Sequence, residues 1–161
     1  MLFRSELVNV RAHRYFLLQR SQPCEHCGAL TRVHGIVLPS GHEVRVRADA
    51  EEEWERSDEP TLLSFVTQLE PSVRARLREE SLWYQPRLRA AGPDPYYTNH
   101  CERCRAPFDD YRLYATPGSG FEVLCEHEAA KIQLTLVASG FAGTAEHFSL
   151  GVMFLESMTR R

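Results

Sequence analysis

The chain is 161 residues long, with 43% apolar, 25% charged and 10% aromatic residues, a composition that excludes collagenous, low-complexity and disordered classes and suffices for one hydrophobic core. Its 19 basic and 22 acidic side chains leave a formal charge of −3, so no global field draws it to nucleic acid, although a local basic patch is compatible with that balance. No apolar run approaches the ~18 residues of a membrane helix and Met1–Leu7 lacks the pattern of a secretory signal, so the expectation is a cytoplasmic protein with no membrane partner, whose five cysteines read as thiols or metal ligands.

In chain order, Val10–Leu18 is rich in apolar and aromatic residues and reads as a strand. Ser21-Gln22-Pro23 turns into the first cysteine pair. Leu30–Leu38 is a second strand, closed by Pro39-Ser40-Gly41. Val44, Val46 and Ala48 then alternate with Arg45 and Arg47, the period of a strand with one wet face. The runs on either side of Pro39–Gly41 suggest a hairpin.

Seven acidic side chains follow: Asp49, Glu51, Glu52, Glu53, Glu55, Asp58 and Glu59. Leu62, Leu63, Val66 and Leu69 fall on one helical face, and Pro71 can open a second helix containing Val73 and Leu77. A helical pair over about residues 60–82 is therefore predicted. Tyr84–Tyr97 carries three prolines and a glycine and reads as a surface loop. Asp110–Thr116 reads as a strand, as does the alternating run Ile132, Leu134, Leu136 and Ala138. Phe148–Met158 fits helix and strand alike. The expected fold is α+β: one domain spanning 1–161, with antiparallel β-rich segments, two zinc knuckles at 24–28 and 101–105, and the helical pair inserted between them.

Cys24-Glu25-His26-Cys27 and Cys101-Glu102-Arg103-Cys104 carry the strongest chemical signal. A C-x-x-C turn puts two sulfurs on one side of a tight loop, and four thiolates complete a structural zinc site with no open position. Gly28 suits the turn after the first pair; Arg105 stands where glycine is preferred in the second. One zinc held by Cys24, Cys27, Cys101 and Cys104 would close a loop containing the 73 residues between Cys27 and Cys101. The competing redox reading needs a strand before and a helix after a C-x-x-C pair, and neither pair has that setting. Cys125 and His127 offer a substitute ligand or a second site, against the plainer reading of a buried thiol beside a surface histidine. His26 and His100 read as outer-shell donors or solvated rims.

Three catalytic templates fail on residues. Pro23-Cys24-Glu25-His26-Cys27 matches half of a zinc-deaminase signature, but His13-Arg14-Tyr15 lacks the required H-x-E. The cysteine pairs are too far apart for an HNH-type nuclease, despite Asn99-His100. There is no G-x-S-x-G and no helical H-E-x-x-H. Non-catalytic binding leads instead. Asp49, Glu51, Glu52, Glu53, Glu55 and Asp58 around Trp54 form an acidic segment suited to a basic protein partner. Arg74, Arg76, Arg78, Arg87 and Arg89, near Trp83 and Tyr84, form an alternative nucleic-acid patch, with Glu79 and Glu80 interrupting it.

Tyr15-Phe16-Leu17-Leu18, Pro23–Val33, Asn99-His100-Cys101-Glu102-Arg103-Cys104 and Asp110-Tyr111 together resemble a family of small bacterial proteins. In that family an N-terminal C-x-x-C-G is matched by a later N-H-C-x-x-C. The resemblance implies a metal-stapled fold and metal roles for the four cysteines, and it implies no activity. A second likeness, in size and acidic surface alone, is to immunity proteins that block a cognate toxin. The leading expectation is thus a zinc-stabilised protein-binding module of that kind. A zinc-ribbon-like nucleic-acid binder stands second and a zinc-dependent hydrolase or nuclease third.

Overall fold

The computed structural model describes residues 8–48, 51–88, 95–149 and 152–161. Among these residues eleven strands join one sheet: β1 (Val10–Ala12), β2 (Tyr15–Pro23), β3 (Leu30–Leu38), β4 (Glu43–Ala48), β5 (Glu51–Arg56), β6 (Thr61–Leu69), β7 (Tyr84–Leu88), β8 (Pro95–Asn99), β9 (Gln133–Val137), β10 (Phe141–Ser149) and β11 (Thr159–Arg160). Four short helices accompany them: α1 (Pro71–Glu80), α2 (Asp110–Ala115), α3 (Glu126–Ala129) and α4 (Val152–Ser157). The main path runs β11-β9-β2-β3-β6-β10-β1-β4-β5, with β8 joining β6 and β7 joining β8. A mostly β structure with a few helices agrees with the α+β expectation in its broad outline.

The helical pair does not form. Its first half is β6, a strand in the middle of the sheet flanked by β3, β8 and β10. Leu62 and Leu63 point into opposite cores, Leu62 beside Val33, Val37 and Phe121, and Leu63 beside Leu17, Ile36 and Val73. A strand buried on both faces loses the alternation that marks a half-exposed one, so its leucines imitate a helical stripe. Only Pro71–Glu80 is helical; Pro71 opens it and Val73 and Leu77 bury its inner face.

Other expectations change for similar reasons. The strands around Pro39–Gly41 do not pair as a hairpin: β3 lies between β2 and β6, while β4 lies between β1 and β5. The proline-rich stretch after Tyr84 contributes β7 and β8, which pair from Tyr84↔Asn99 to Leu88↔Pro95. Asp110–Ala115 is α2, not a strand, because the Asp109 carboxylate caps it by accepting from the Tyr111 N–H at 2.8 Å. The ambiguous C-terminal stretch divides, with Phe148 in β10 and Val152–Ser157 in α4.

At Phe65, β6 bends. This residue has φ +47°, a conformation that costs a non-glycine residue energy. Before it β6 pairs with β3 (Thr61, Leu62), and after it with β8 (Val66↔Tyr97). At the transition the Phe65 N–H donates to the buried Asp110 carboxylate at 3.0 Å, and the same carboxylate accepts from the Thr98 hydroxyl at 2.9 Å. α2 is thus pinned to the strand junction beside the second cysteine pair.

Candidate metal centre

The first knuckle is the turn between β2 and β3. Cys24 donates its N–H to Ala29 O at 2.9 Å, and Gly28 donates to Cys24 O at 2.7 Å. The second follows β8 and repeats the pattern: Cys101 donates to Ala106 O at 2.8 Å and Arg105 to Cys101 O at 2.9 Å. Gly28 has φ +74° and Arg105 φ +65°. Each turn therefore needs one left-handed residue, and the missing glycine leaves the second turn's geometry unchanged.

Between them the knuckles gather four Sγ atoms, all within 4.8 Å of one another. Cys24 lies 3.7 Å from Cys104, and Cys27 lies 3.7 Å from Cys101. A tetrahedral ion with Zn–S bonds of about 2.3 Å would set its sulfurs ~3.8 Å apart. Cys24 and Cys101 are buried, Cys27 and Cys104 half-buried. The donor set and spacing can hold one metal ion and would leave it no open coordination position.

Outer contacts brace the cluster. The Thr31 hydroxyl donates to the Cys101 sulfur at 3.3 Å and accepts from the Glu102 N–H at 3.3 Å. Arg32 pairs with Glu102 at 3.0 Å, linking β3 to the second knuckle. The Asn99 side chain accepts from His34 N–H at 2.7 Å and donates to His34 O at 2.9 Å, so it serves β3 as a strand partner would. Sequence reasoning met Asn99, Asp110 and the stretch holding Thr31 only as parts of a spaced pattern and missed their bracing roles, which act across many residues on a sulfur or a main-chain group.

Charge at the sulfurs is uneven. The Thr31 hydroxyl, opposed by burial and aided by the Cys104 and Arg103 N–H groups, lowers the Cys101 thiol to about 5. Cys104 receives the Ala106 N–H, yet desolvation and the sulfurs of Cys101, Cys27 and Cys24 push it up to about 12.

The remaining candidates fall elsewhere. His26 is exposed, and buried His100 lies with Nδ1 3.2 Å from Trp83 O and 3.1 Å from Thr98 O. Cys125 is an exposed thiol at the start of α3, not a buried one, and His127 is exposed beside it; neither belongs to the cysteine cluster. A cleft of about 450 Å³ adjoins the first knuckle, with Phe108 and Leu113 among its apolar lining and Glu25, His26, Asp109 and Arg112 among its polar lining.

The acidic segment is the strand β5. Glu51, Glu53 and Glu55 are exposed, and half-buried Trp54 lies under the Arg11 guanidinium at 4.0 Å, with that of Arg45 at 5.9 Å. Glu52 belongs to the same strand and Asp58 is exposed beyond it, while Asp49 lies outside the described residues. Of the arginine patch, Arg76 pairs with Glu79 at 3.4 Å and Glu80 at 2.7 Å. Arg74 is half-buried on α1, Arg78 is exposed there, Arg87 is exposed on β7, and Arg89 lies outside the described residues.

Compared with protein-family models, curated proteins and solved structures, the chain matches none. What stands of the family resemblance is the four-cysteine cluster itself. Among the described residues, no helix is long and apolar enough to cross a membrane.

Proposed function

We propose that this chain is a non-catalytic, zinc-stabilised binding module whose contact surface is the acidic β4–β5 hairpin around Trp54, and that its partner is a basic protein, as in a toxin–immunity pair. The observation that carries this reading is the alternation along β5. Glu51, Glu53 and Glu55 are exposed and project to one face, opposite the face on which Trp54 packs beneath Arg11. A row of carboxylates on a firm strand steers a basic surface and fixes its register. Zinc supplies no reaction in this scheme; with four thiolates it fastens the β2–β3 turn to the chain after β8.

The test is affinity capture of the tagged full chain from its own host under cross-linking. A basic protein should be retained by the wild type and lost in Glu53→Lys/Glu55→Lys and in Trp54→Ala. Recovery of nucleic acid instead, abolished by Arg78→Glu/Arg87→Glu and unaffected at Glu53 and Glu55, would overturn the proposal.

A further inference from the structure

Antiparallel pairing determines which main-chain groups of β5 remain available. Arg45 donates its N–H to Asn9 O at 2.8 Å, toward β1 and away from β5. Arg45 is the register partner of Trp54. In an antiparallel pair whose members do not bond each other, the main-chain groups of both residues point away from the partner. The bond at the hairpin's open end agrees: Ser57 donates to His42 O at 2.8 Å, which makes every second position from Ser57 along β5 a bonded one. Glu51, Glu53 and Glu55 thus bond β4, while the N–H and C=O groups of Glu52, Trp54 and Arg56 face outward.

Outward of β5 the strand order ends, and among the described residues β4 is its one strand neighbour. An edge of this kind is a ready template for another strand, with main-chain bonds supplying affinity and alternate side chains supplying selectivity. A second copy fits it badly. In-register antiparallel pairing of two β5 strands would set Glu51 against Glu55 and Glu53 against its own copy, and like charges directly opposite are destabilising.

We propose that β5 accepts a strand from the basic partner, with main-chain bonds to Glu52, Trp54 and Arg56 and with lysine or arginine at alternate positions of the added strand facing Glu51, Glu53 and Glu55. This rests on the acidic-surface reading above and adds the mode of binding: the partner contributes an extended segment of alternating basic and apolar residues, not a helix or a diffuse basic patch.

The probe is a labelled eight-residue peptide of alternating lysine and valine, titrated into the full metal-bearing chain and followed by fluorescence anisotropy. Saturable binding is expected. It should weaken at least about tenfold, as for loss of one or two hydrogen bonds to a charged or edge partner, when the peptide's edge-facing amides are N-methylated. The same loss is expected for Glu52→Pro, which deletes an outward N–H and no β4–β5 bond. A peptide of equal composition with its lysines in one block should bind at least about tenfold more weakly than the alternating one. If the N-methylated and block peptides bind as tightly as the alternating one, strand addition is overturned while the charge-based reading stands. If Glu53→Lys/Glu55→Lys leaves all binding unchanged, the acidic-surface reading itself fails. Should Glu52→Pro not fold, the N-methylated peptide decides alone.

Discussion

Arg105 and Gly28 occupy the same place in two copies of one turn, each donating its N–H to the carbonyl of the first cysteine of its pair, at 2.9 and 2.7 Å, and each in the left-handed region. A Cβ on Gly28 would meet nothing within 4 Å, so the cost of Gly28→Ala is backbone strain alone, about 1 kcal/mol. Arg105 already bears that strain and holds its guanidinium over the Trp83 ring at 4.8 Å. Arg105→Ala loses the ring contact and keeps the strain. Arg105→Gly should therefore be the more stable of the two by about 1 kcal/mol. Chemical denaturation of the metal-bearing variants measures the difference; Arg105→Ala equalling or exceeding Arg105→Gly would refute the strain argument.

Elemental analysis should find about one zinc per chain, and Cys101→Ser should lose it along with a large part of the thermal stability. Chelation of the wild type should lower its transition in the same way. A metal-free preparation as stable as the metal-bearing one would show that the cluster is not a staple.

Asp110→Ala removes the carboxylate that accepts from Phe65 N–H at 3.0 Å and from the Thr98 hydroxyl at 2.9 Å, while that hydroxyl keeps Phe108 O, at 2.8 Å, as an acceptor. The loss should be about 2 kcal/mol, with one donor left unmet in a buried site. Thr98→Val should cost less, since it leaves the Phe65 bond in place. The reverse order, read from denaturation midpoints, would argue against Asp110 as the main support of the bend in β6.

Acid should weaken the fold through His34. Burial lowers its pKa to about 4, and neither ring nitrogen has a hydrogen-bond partner among the described residues. The unfolded chain takes up this proton near ~6.5. Between the two values the unfolded state binds more protons, so the stabilisation is fully present above the unfolded value and is lost as pH falls toward 4. Between pH 7 and pH 5 this amounts to about 2 kcal/mol. His34→Leu should remove that slope, with metal content measured at each pH so that zinc release is separated from it. An unchanged slope in the variant would assign the acid sensitivity elsewhere.

The cysteine cluster was legible because a C-x-x-C pair makes its own local geometry, and Cys24, Cys27, Cys101 and Cys104 need only one long-range meeting to come together. The strand over Val44–Ala48 was legible too and is part of β4, although Val44, Arg45 and Val46 are all half-buried and show no wet and dry alternation. β6 was not, because its residues serve two cores and carry no period-2 signal. The support of Thr31, Asn99 and Asp110 was also invisible, since each acts across many residues on a main-chain group or sulfur.

Taken alone, the sequence determined which atoms can hold a metal, because ligand chemistry and turn geometry are written within five residues of each cysteine pair. It also placed the acid-rich stretch around Trp54. Only the tertiary structure decided that this stretch is an edge strand with an outward row of main-chain groups. It also decided that Arg76 meets Glu79 and Glu80. Edge position and ion pairing depend on which distant segments lie alongside, and no local pattern encodes that.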